Sequence, residues 1–250
     1  MNTTTTQRSP TLIDNFQKYF RVEYASSVNQ RNAAYHIRYR VYCEEFGYEP
    51  KAMFPDQLEH DEYDDDAFHC LITHRSDMPA GCVRLVPATD KPGSLPFEKY
   101  CGESIDQGIV DSLGLQRSSM CEISRLAVDG AFRRRSGEAL TRFGEIEAMD
   151  CSQQEKRTFS LIAVAAFLSA TALTEITRHT DVFAMMEPFL PRLLKRSGIF
   201  FQRVGKDVDY HGIRAPYFIR TQEAVESMRP DLRGLYEVIH AQIKEKHGAD

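Results

Sequence analysis

Two stretches of the chain carry charge in settings where that charge could do chemistry. In Cys121–Val128 (CEISRLAV), strong strand formers surround Glu122 and Arg125. Strict alternation places Glu122, Ser124 and Leu126 on one face and Ile123, Arg125 and Ala127 on the other. A carboxylate buried in such a strand has its pKa raised by desolvation, which suits it to take a proton from an ammonium group or a water. The same pattern also fits a structural Glu–Arg pair. The second stretch, Asp56–Asp66 (DQLEHDEYDDD), holds seven carboxylates. It lacks the D-x-D-x-D-G spacing and the turn glycine of a calcium loop. It reads either as a solvated acidic loop or as acids turned inward onto arginines or a substrate ammonium.

A third candidate follows the first directly. In DGAFRRRSGEAL (129–140), Arg134, Gly137 and Ala139 match the R-x-x-G-x-A form of a pyrophosphate loop, in which backbone N–H groups at a helix start hold a phosphate. A solvated arginine turn is the alternative. His69 and His74 flank a strand and read as structural or exposed residues, not metal ligands. No H-E-x-x-H, Walker or G-x-S-x-G motif occurs, so no metal site or local nucleophile signature is expected.

Elements of both periods must position these residues. Phe20–Ser26 alternates as a first strand. Asn29–Phe46 has helical periodicity, and Gly47 stands where a C′ glycine ends a helix. Phe68–His74 and Gly81–Ala88 read as strands around a hairpin turn. Residues 89–119, rich in Gly, Pro and Ser, read as a long excursion, and Glu122–Val128 as the next strand. Arg157–His179 predicts a long buried helix, Val182–Met186 a strand, and Pro188–Arg196 a helix that starts at proline. Phe200–Val204 and Ile213–Arg220 complete the sheet before an amphipathic C-terminal helix. This order implies an α/β domain with a mixed sheet.

The bulk numbers set limits. At 250 residues with 42% hydrophobic and 27% charged side chains, the chain has material for a substantial core. A net charge of −5 argues against a nucleic-acid-coating protein. The six cysteines are widely spaced without a C-x-x-C pair, which reads as reduced core thiols. The polar opening MNTTTTQRSP has no apolar signal core. The longest apolar run, Leu161–Leu173, falls short of the roughly 20 residues a bilayer needs. A cytoplasmic location is expected.

Together these pieces resemble the acyl-homoserine-lactone synthases and the N-acyl amino acid synthases of the acetyltransferase-like (GNAT) superfamily. The lactone-synthase motifs correspond to Arg38 and Tyr42, Gly47 and Tyr48, then Glu59, Asp61 and Asp64, then Arg84, then Glu122, Ser124 and Arg125. Tyr42 and Tyr48 stand at positions that are Phe or Trp in lactone synthases, and the chain has no tryptophan. The set RYRVYCEEFGYE, EHDEYD, VRLV, EISRLAV with FRRR, MEPFLPRLLKRSGIFF and DYHGIRAPYF is similar to the PEP-CTERM/exosortase system-associated acyltransferases over about residues 12–230.

The resemblance implies a single GNAT-like α/β domain over 11–250, behind a disordered tail at 1–10. Its mixed, twisted central sheet is flanked by helices and splays apart to admit a phosphopantetheine arm. It implies transfer of a long-chain acyl group from acyl-carrier protein or acyl-CoA, as co-substrate and with no permanent cofactor, to the amine of a small acceptor. Glu122 would be the base, acting through a water with Ser124 and Arg125 beside it. Arg84 and Arg125 would bind an acceptor carboxylate or organise the acids. Asp61 and Asp64 would hold Arg38 and the acceptor loop, with Tyr42 and Tyr48 on the substrate side. Met185 and Met186 line an acyl pocket or pack the core. Arg133, Arg134, Arg135 and Gly137, with Arg192, Lys195 and Arg196, would meet the acidic carrier or the CoA phosphates. The 136–156 stretch reads as an insertion, so the phosphate loop is open to another placement. Peripheral contact with membrane lipid products is a further expectation. Two alternatives stand beside this: lactone synthesis from S-adenosylmethionine, and a non-catalytic acyl-carrier sensor. Tyr210 and His211 lie in a family-like motif without an assigned step.

Overall fold

The computed structural model describes residues 11–91, 93–132 and 161–248. The expected tail at 1–10, the candidate donor residues Arg133, Arg134, Arg135 and Gly137, and the 136–156 stretch lie outside the described residues.

A helix absent from the sequence reading comes first. In α1 (Leu12–Tyr19), Thr11 and Asp14 cap one another, the Asp14 N–H donating to Thr11 Oγ1 at 3.2 Å and the Thr11 N–H to Asp14 Oδ2 at 2.9 Å. This reciprocal box satisfies two N–H groups that a helix start leaves open. The chain then enters β1 (Phe20–Tyr24) and α2 (Val28–Arg38), which opens on a Ser27–Gln30 box. Where one continuous helix was expected, the backbone widens to a π-helical segment at Tyr39–Glu45. It ends at Gly47, whose φ of +63° is the left-handed conformation a C′ glycine supplies.

The remaining strands are β2 (Phe68–His74), β3 (Pro79–Pro87), β4 (Met120–Val128), β5 (Asp181–Met186), β6 (Gln202–Arg203), β7 (Val208–Asp209) and β8 (Ile213–Arg220). The excursion at 89–119 contains two short helices, α3 (Pro96–Cys101) and α4 (Gln107–Ser112). Beyond β4 come α5 (Leu161–Ile176), α6 (Leu190–Arg196), α7 (Thr221–Ser227) and α8 (Pro230–His247).

One mixed sheet runs in the order β1-β2-β3-β4-β5-β8-β6, with β7 paired to β8. Neighbours are antiparallel except β4 and β5, which are parallel. That central pair is joined only through Met120, Cys121 and Glu122 against Asp181, Val182 and Phe183. Past Glu122 the two strands run on without pairing to each other, so a gap opens in the middle of the sheet.

α5 and α8 cover one face. α5 is apolar on all sides and buries Ile162, Ala165, Ala166, Leu168 and Leu173 against Ile72, Val83 and Leu85, as a helix enclosed by a core must. Burying each such Leu or Ile contributes about 1.5–3 kcal/mol. The helix comes close at Gly81, where a Cβ would lie 2.8 Å from Ile162 Cγ2. The other face carries α2, on Leu71, Cys82 and Ala127, and α3, whose Phe97 packs with Val86 and Phe183.

The alternation expected in β4 is overturned. The β3–β4 register shifts between Cys82 and Arg84, whose partners are Ala127 and Ser124. Two β4 residues, Arg125 and Leu126, therefore oppose Val83 alone, and Arg125 takes φ +51°. Such a bulge moves every later side chain to the other face. Leu126 joins the α5 core, while Arg125 turns to the side of Glu122 and Ser124.

Candidate active site

Arg38 is the last residue of α2 before the π segment, and its side chain is 1% exposed. A buried guanidinium must be paired. Its Nε donates to Glu59 Oε2, and Nη1 and Nη2 donate to Asp64 at 2.7 and 2.9 Å. Arg84, equally buried, donates from Nε to Ser124 Oγ at 3.1 Å. Its Nη1 donates to Asp61 at 2.5 Å and to Asp64 at 2.9 Å. Arg125 reaches Glu59 and Asp61, each at 3.1 Å. Three arginines from three elements thus share three acids of one loop.

The loop is built for this. The Asp61 N–H donates to Asp64 Oδ2 at 2.7 Å and the Tyr63 N–H to Asp61 Oδ1 at 3.0 Å. The acidic run therefore divides: Glu59 and Asp64 are buried and Asp61 half-buried, whereas Asp56, Glu62, Asp65 and Asp66 face solvent. Burial alone would raise the Glu59 and Asp64 carboxyls, but Arg38, with Arg125 at Glu59 and Arg84 at Asp64, outweighs it and holds both below the usual range. His69 lies against this network, Nε2 at 3.6 Å from Asp64 Oδ1, and burial lowers its pKa to about 4. It is a neutral structural residue, and His74 is buried at the strand's far end.

Glu122 stands apart from the arginine network although it faces the same side. It is 3% exposed, at the last rung where β4 meets β5. Oε2 accepts the backbone N–H of Phe97 at 2.7 Å. Pro96 opens α3, so that N–H lies in the first turn, where no carbonyl of the helix can take it. α3 is held in turn by Glu98, which accepts from Arg117 Nη2 at 2.7 Å, and by the Phe97 ring stacked on Phe183 at 4.8 Å. Burial raises the Glu122 carboxyl to about 7, against the opposing pull of the Phe97 N–H, Arg84 and Arg125. At neutral pH it can both release and take a proton.

Tyr42 and Tyr48 also lie here. The Tyr42 hydroxyl donates to the Leu126 carbonyl at 3.1 Å, and the Arg125 guanidinium lies 5.6 Å from its ring centre. Tyr48 stacks on Phe46 at 5.4 Å and meets the His211 ring at 5.2 Å. Met185 and Met186 cannot line one pocket, because neighbouring strand residues face opposite ways. Met185 packs with Phe183 and Phe97 on the Glu122 side; Met186 is buried with Ala215 and Tyr217 against Leu190 and Leu194 of α6. Arg192, Lys195 and Arg196 are exposed on α6.

Three site residues were not assigned from sequence. Glu49 sits 3.8 Å from Arg125 Nη2 and 3.4 Å from His211 Nε2. Tyr210 stacks on Tyr100 at 6.1 Å, and burial raises its phenol. The Y-H-G sequence before β8 signals a turn, but nothing local tells that the turn folds back onto β4.

Residues 37–142 match the acetyltransferase (GNAT) domain family, a span that includes Arg38, the acidic loop, Arg84 and β4. The chain is a single GNAT-like domain. Solved structures share this fold. TofI, seen in a ternary complex with an inhibitor and MTA, aligns at a TM-score of 0.57 and 19% identity, over 85% of this chain and 98% of that one. BjaI, a CoA-dependent acyl-homoserine lactone synthase with SAM and isopentyl-CoA, gives 0.57 and 16%, over 89% and 90%. FeeM, an N-acyl amino acid synthase from uncultured soil microbes, gives 0.52 and 15%, over 84% and 94%. A search of curated proteins returns no match. Among the described residues of this GNAT-like chain, no helix is long and apolar enough to cross a membrane.

Proposed function

We propose that the protein is an N-acyltransferase that moves a long-chain acyl group from an acyl-carrier-protein or CoA thioester to the amine of an amino acid or similar small acceptor. The observation that carries this reading is Glu122: a buried carboxyl poised near pH 7 at the point where β4 and β5 part. A thioester arm entering the gap brings its carbonyl next to that carboxylate. Glu122 takes a proton from the acceptor ammonium through a water, and the freed nitrogen lone pair attacks the carbonyl carbon. The C–N bond forms, the oxyanion collapses, the C–S bond breaks, and the leaving thiolate takes the second proton that the nitrogen sheds as it becomes an amide.

Direct transfer is supported by the thiols. Burial raises Cys82 to about 12 and Cys43 and Cys101 to about 11, and pushes Cys70 and Cys121 up as well. None of these five is a ready thiolate nucleophile. A carrier sensor without catalysis is disfavoured, since a buried carboxylate outside any ion pair costs stability that a sensor has no use for.

The resemblance to exosortase-associated acyltransferases favours the amino acid acceptor, while the fold is shared with FeeM and with lactone synthases alike. Lactone synthesis is the second reading, favoured by the likeness to BjaI, seen with SAM and isopentyl-CoA. The experiment offers the purified protein long-chain acyl-CoA or acyl-carrier protein with each amino acid and, separately, S-adenosylmethionine. Thiol release and mass spectrometry give the result. One N-acyl amino acid per thiol released is expected. Acyl-homoserine lactone as the product replaces this reading with the second, and absence of thiol release with every amine removes both.

A further inference from the structure

α6 turns large apolar side chains outward as well as inward. Leu190 and Leu194 pack on Met186, Ala215 and Tyr217. Phe189 and Leu193 lie one turn apart, the Leu193 N–H donating to the Phe189 carbonyl at 3.1 Å, and are 42% and 47% exposed. The helix closes at Gly198, φ +85°, and the Ile199 N–H turns back to the Leu194 carbonyl at 3.1 Å. Ile199 is buried by that turn, and Phe200 beside it is left 56% exposed. Three large apolar groups therefore meet solvent within residues 189–200, and exposed groups gathered in this way mark an interaction surface.

Cations are set among them. Arg192, Lys195, Arg196, Arg203 and Lys206 are all exposed, and Arg203 is paired with Asp207 at 2.9 Å. No acid occurs from residue 188 to residue 206, in a chain whose net charge is −5. The cations alone would suit a phosphate ligand, but such a ligand has no use for Leu193 and Phe200. A bilayer surface uses both kinds of group. Its hydrocarbon takes the apolar side chains, and its anionic headgroups meet Arg and Lys, whose long stems hold the charge at that level. The place in the fold agrees. β5 makes its last rung with β4 at Phe183 and runs on to Met186, which packs against α6. The face thus follows the strand that borders the gap.

We propose that α6 and Phe200 form a peripheral docking face for an anionic lipid bilayer. Leu193 and Phe200 enter the edge of the hydrocarbon, and Arg192, Lys195 and Arg196 lie among the headgroups. Because the chain as a whole is acidic, this cationic patch also sets the orientation in which it approaches the surface. A product with a long acyl chain would then be released beside the phase that dissolves it. That benefit rests on the acyl-transfer reading, whereas vesicle binding needs no turnover, so the two can fail separately.

The test floats the purified full chain with vesicles of phosphatidylglycerol and phosphatidylcholine in equal parts, and with vesicles of phosphatidylcholine alone. Binding to the anionic vesicles that weakens as salt is added is the expected result. Arg192→Gln, Lys195→Gln and Arg196→Gln together should weaken it about a hundredfold, the scale for three cations at an anionic surface. Leu193→Ser with Phe200→Ser leaves the charge unchanged and should weaken it about tenfold or more. Thermal unfolding checks that each variant is folded. A wild-type chain that floats with neither vesicle, or an apolar variant that floats as well as wild type, overturns the proposal. If that variant keeps vesicle binding but loses self-association or binding to acyl-carrier protein, the face belongs to that partner and the proposal falls. A wild-type chain that floats yet releases no thiol with any amine overturns the acyl-transfer reading alone.

Discussion

The backbone N–H of Phe97 meets Glu122 Oε2 at 2.7 Å, and the Phe97 ring stacks on Phe183, the residue paired with Glu122 across β4 and β5. One residue therefore fixes both the carboxylate and the strand rung on which it stands. Loss of the Glu122 charge should disturb chemistry more than structure.

Glu122→Gln should fold normally and lose about 10²–10⁴-fold in acyl transfer, the usual scale for removing a general base. Wild-type kcat/KM should climb with pH through about 7 as Glu122 ionises, and the variant should lack that limb. A pH series of thiol release checks this. Near-wild-type turnover of the variant at neutral pH would move the base elsewhere.

The same carboxyl links stability to pH. Its folded pKa of about 7 lies above the 4.5 of an ordinary glutamate, so the folded state holds the proton more tightly than the unfolded chain. This contribution to stability is fully present below about pH 4.5 and is lost as pH rises through about 7, to a total of about 3 kcal/mol. Urea denaturation of wild type and Glu122→Gln across that window should give curves that diverge as pH rises, the variant becoming the relatively more stable. Parallel curves would contradict it.

Arg38→Leu leaves Glu59 and Asp64 buried without their closest partner. Breaking a buried pair from one side costs about 3–5 kcal/mol. Chemical denaturation should show a loss of this order, and Arg38→Lys should recover little, because one ammonium cannot replace the Nε contact and the two-point contact with Asp64.

Met185→Ala and Met186→Ala should part company. Met186 is buried on the far face, so its truncation should cost about 2–5 kcal/mol of stability and leave the acyl-length preference alone. Met185 lies on the Glu122 side, so its truncation should shift that preference toward longer chains. Thermal melts and a series of acyl donors of increasing length separate the two effects.

Strands with strong periodicity could be read without the structure, and β2 is observed at the bounds expected for it, Phe68–His74. At α1 the sequence spells a capping box, Thr11 and Asp14, that hydrophobic periodicity alone does not reveal. The β4 face assignment failed because a bulge is one extra residue with no spelling of its own: Arg125 takes the left-handed angle that sequence would offer to glycine. The pairing of acids and arginines rested on resemblance, since the partners of Asp64 lie 26 and 20 residues away. Tyr210 escaped assignment for a similar reason. Its contacts depend on how the second half of the sheet is set beside the first.

The separation of β4 from β5 gives the sheet an inner rim as well as its two outer ones. A strand rim exposes backbone donors and acceptors that seek a partner, and proteins ordinarily hide or blunt it. Here the rim begins at Glu122, where the pairing of β4 with β5 ends. An extended amide-bearing chain laid along it would complete the ladder, and binding of that kind stabilises the folded state in proportion to its occupancy. The weakest seam of the fold and the proposed channel for its chemistry are one place. Any substitution that zips β4 to β5 along their full length would gain rigidity and shut the channel.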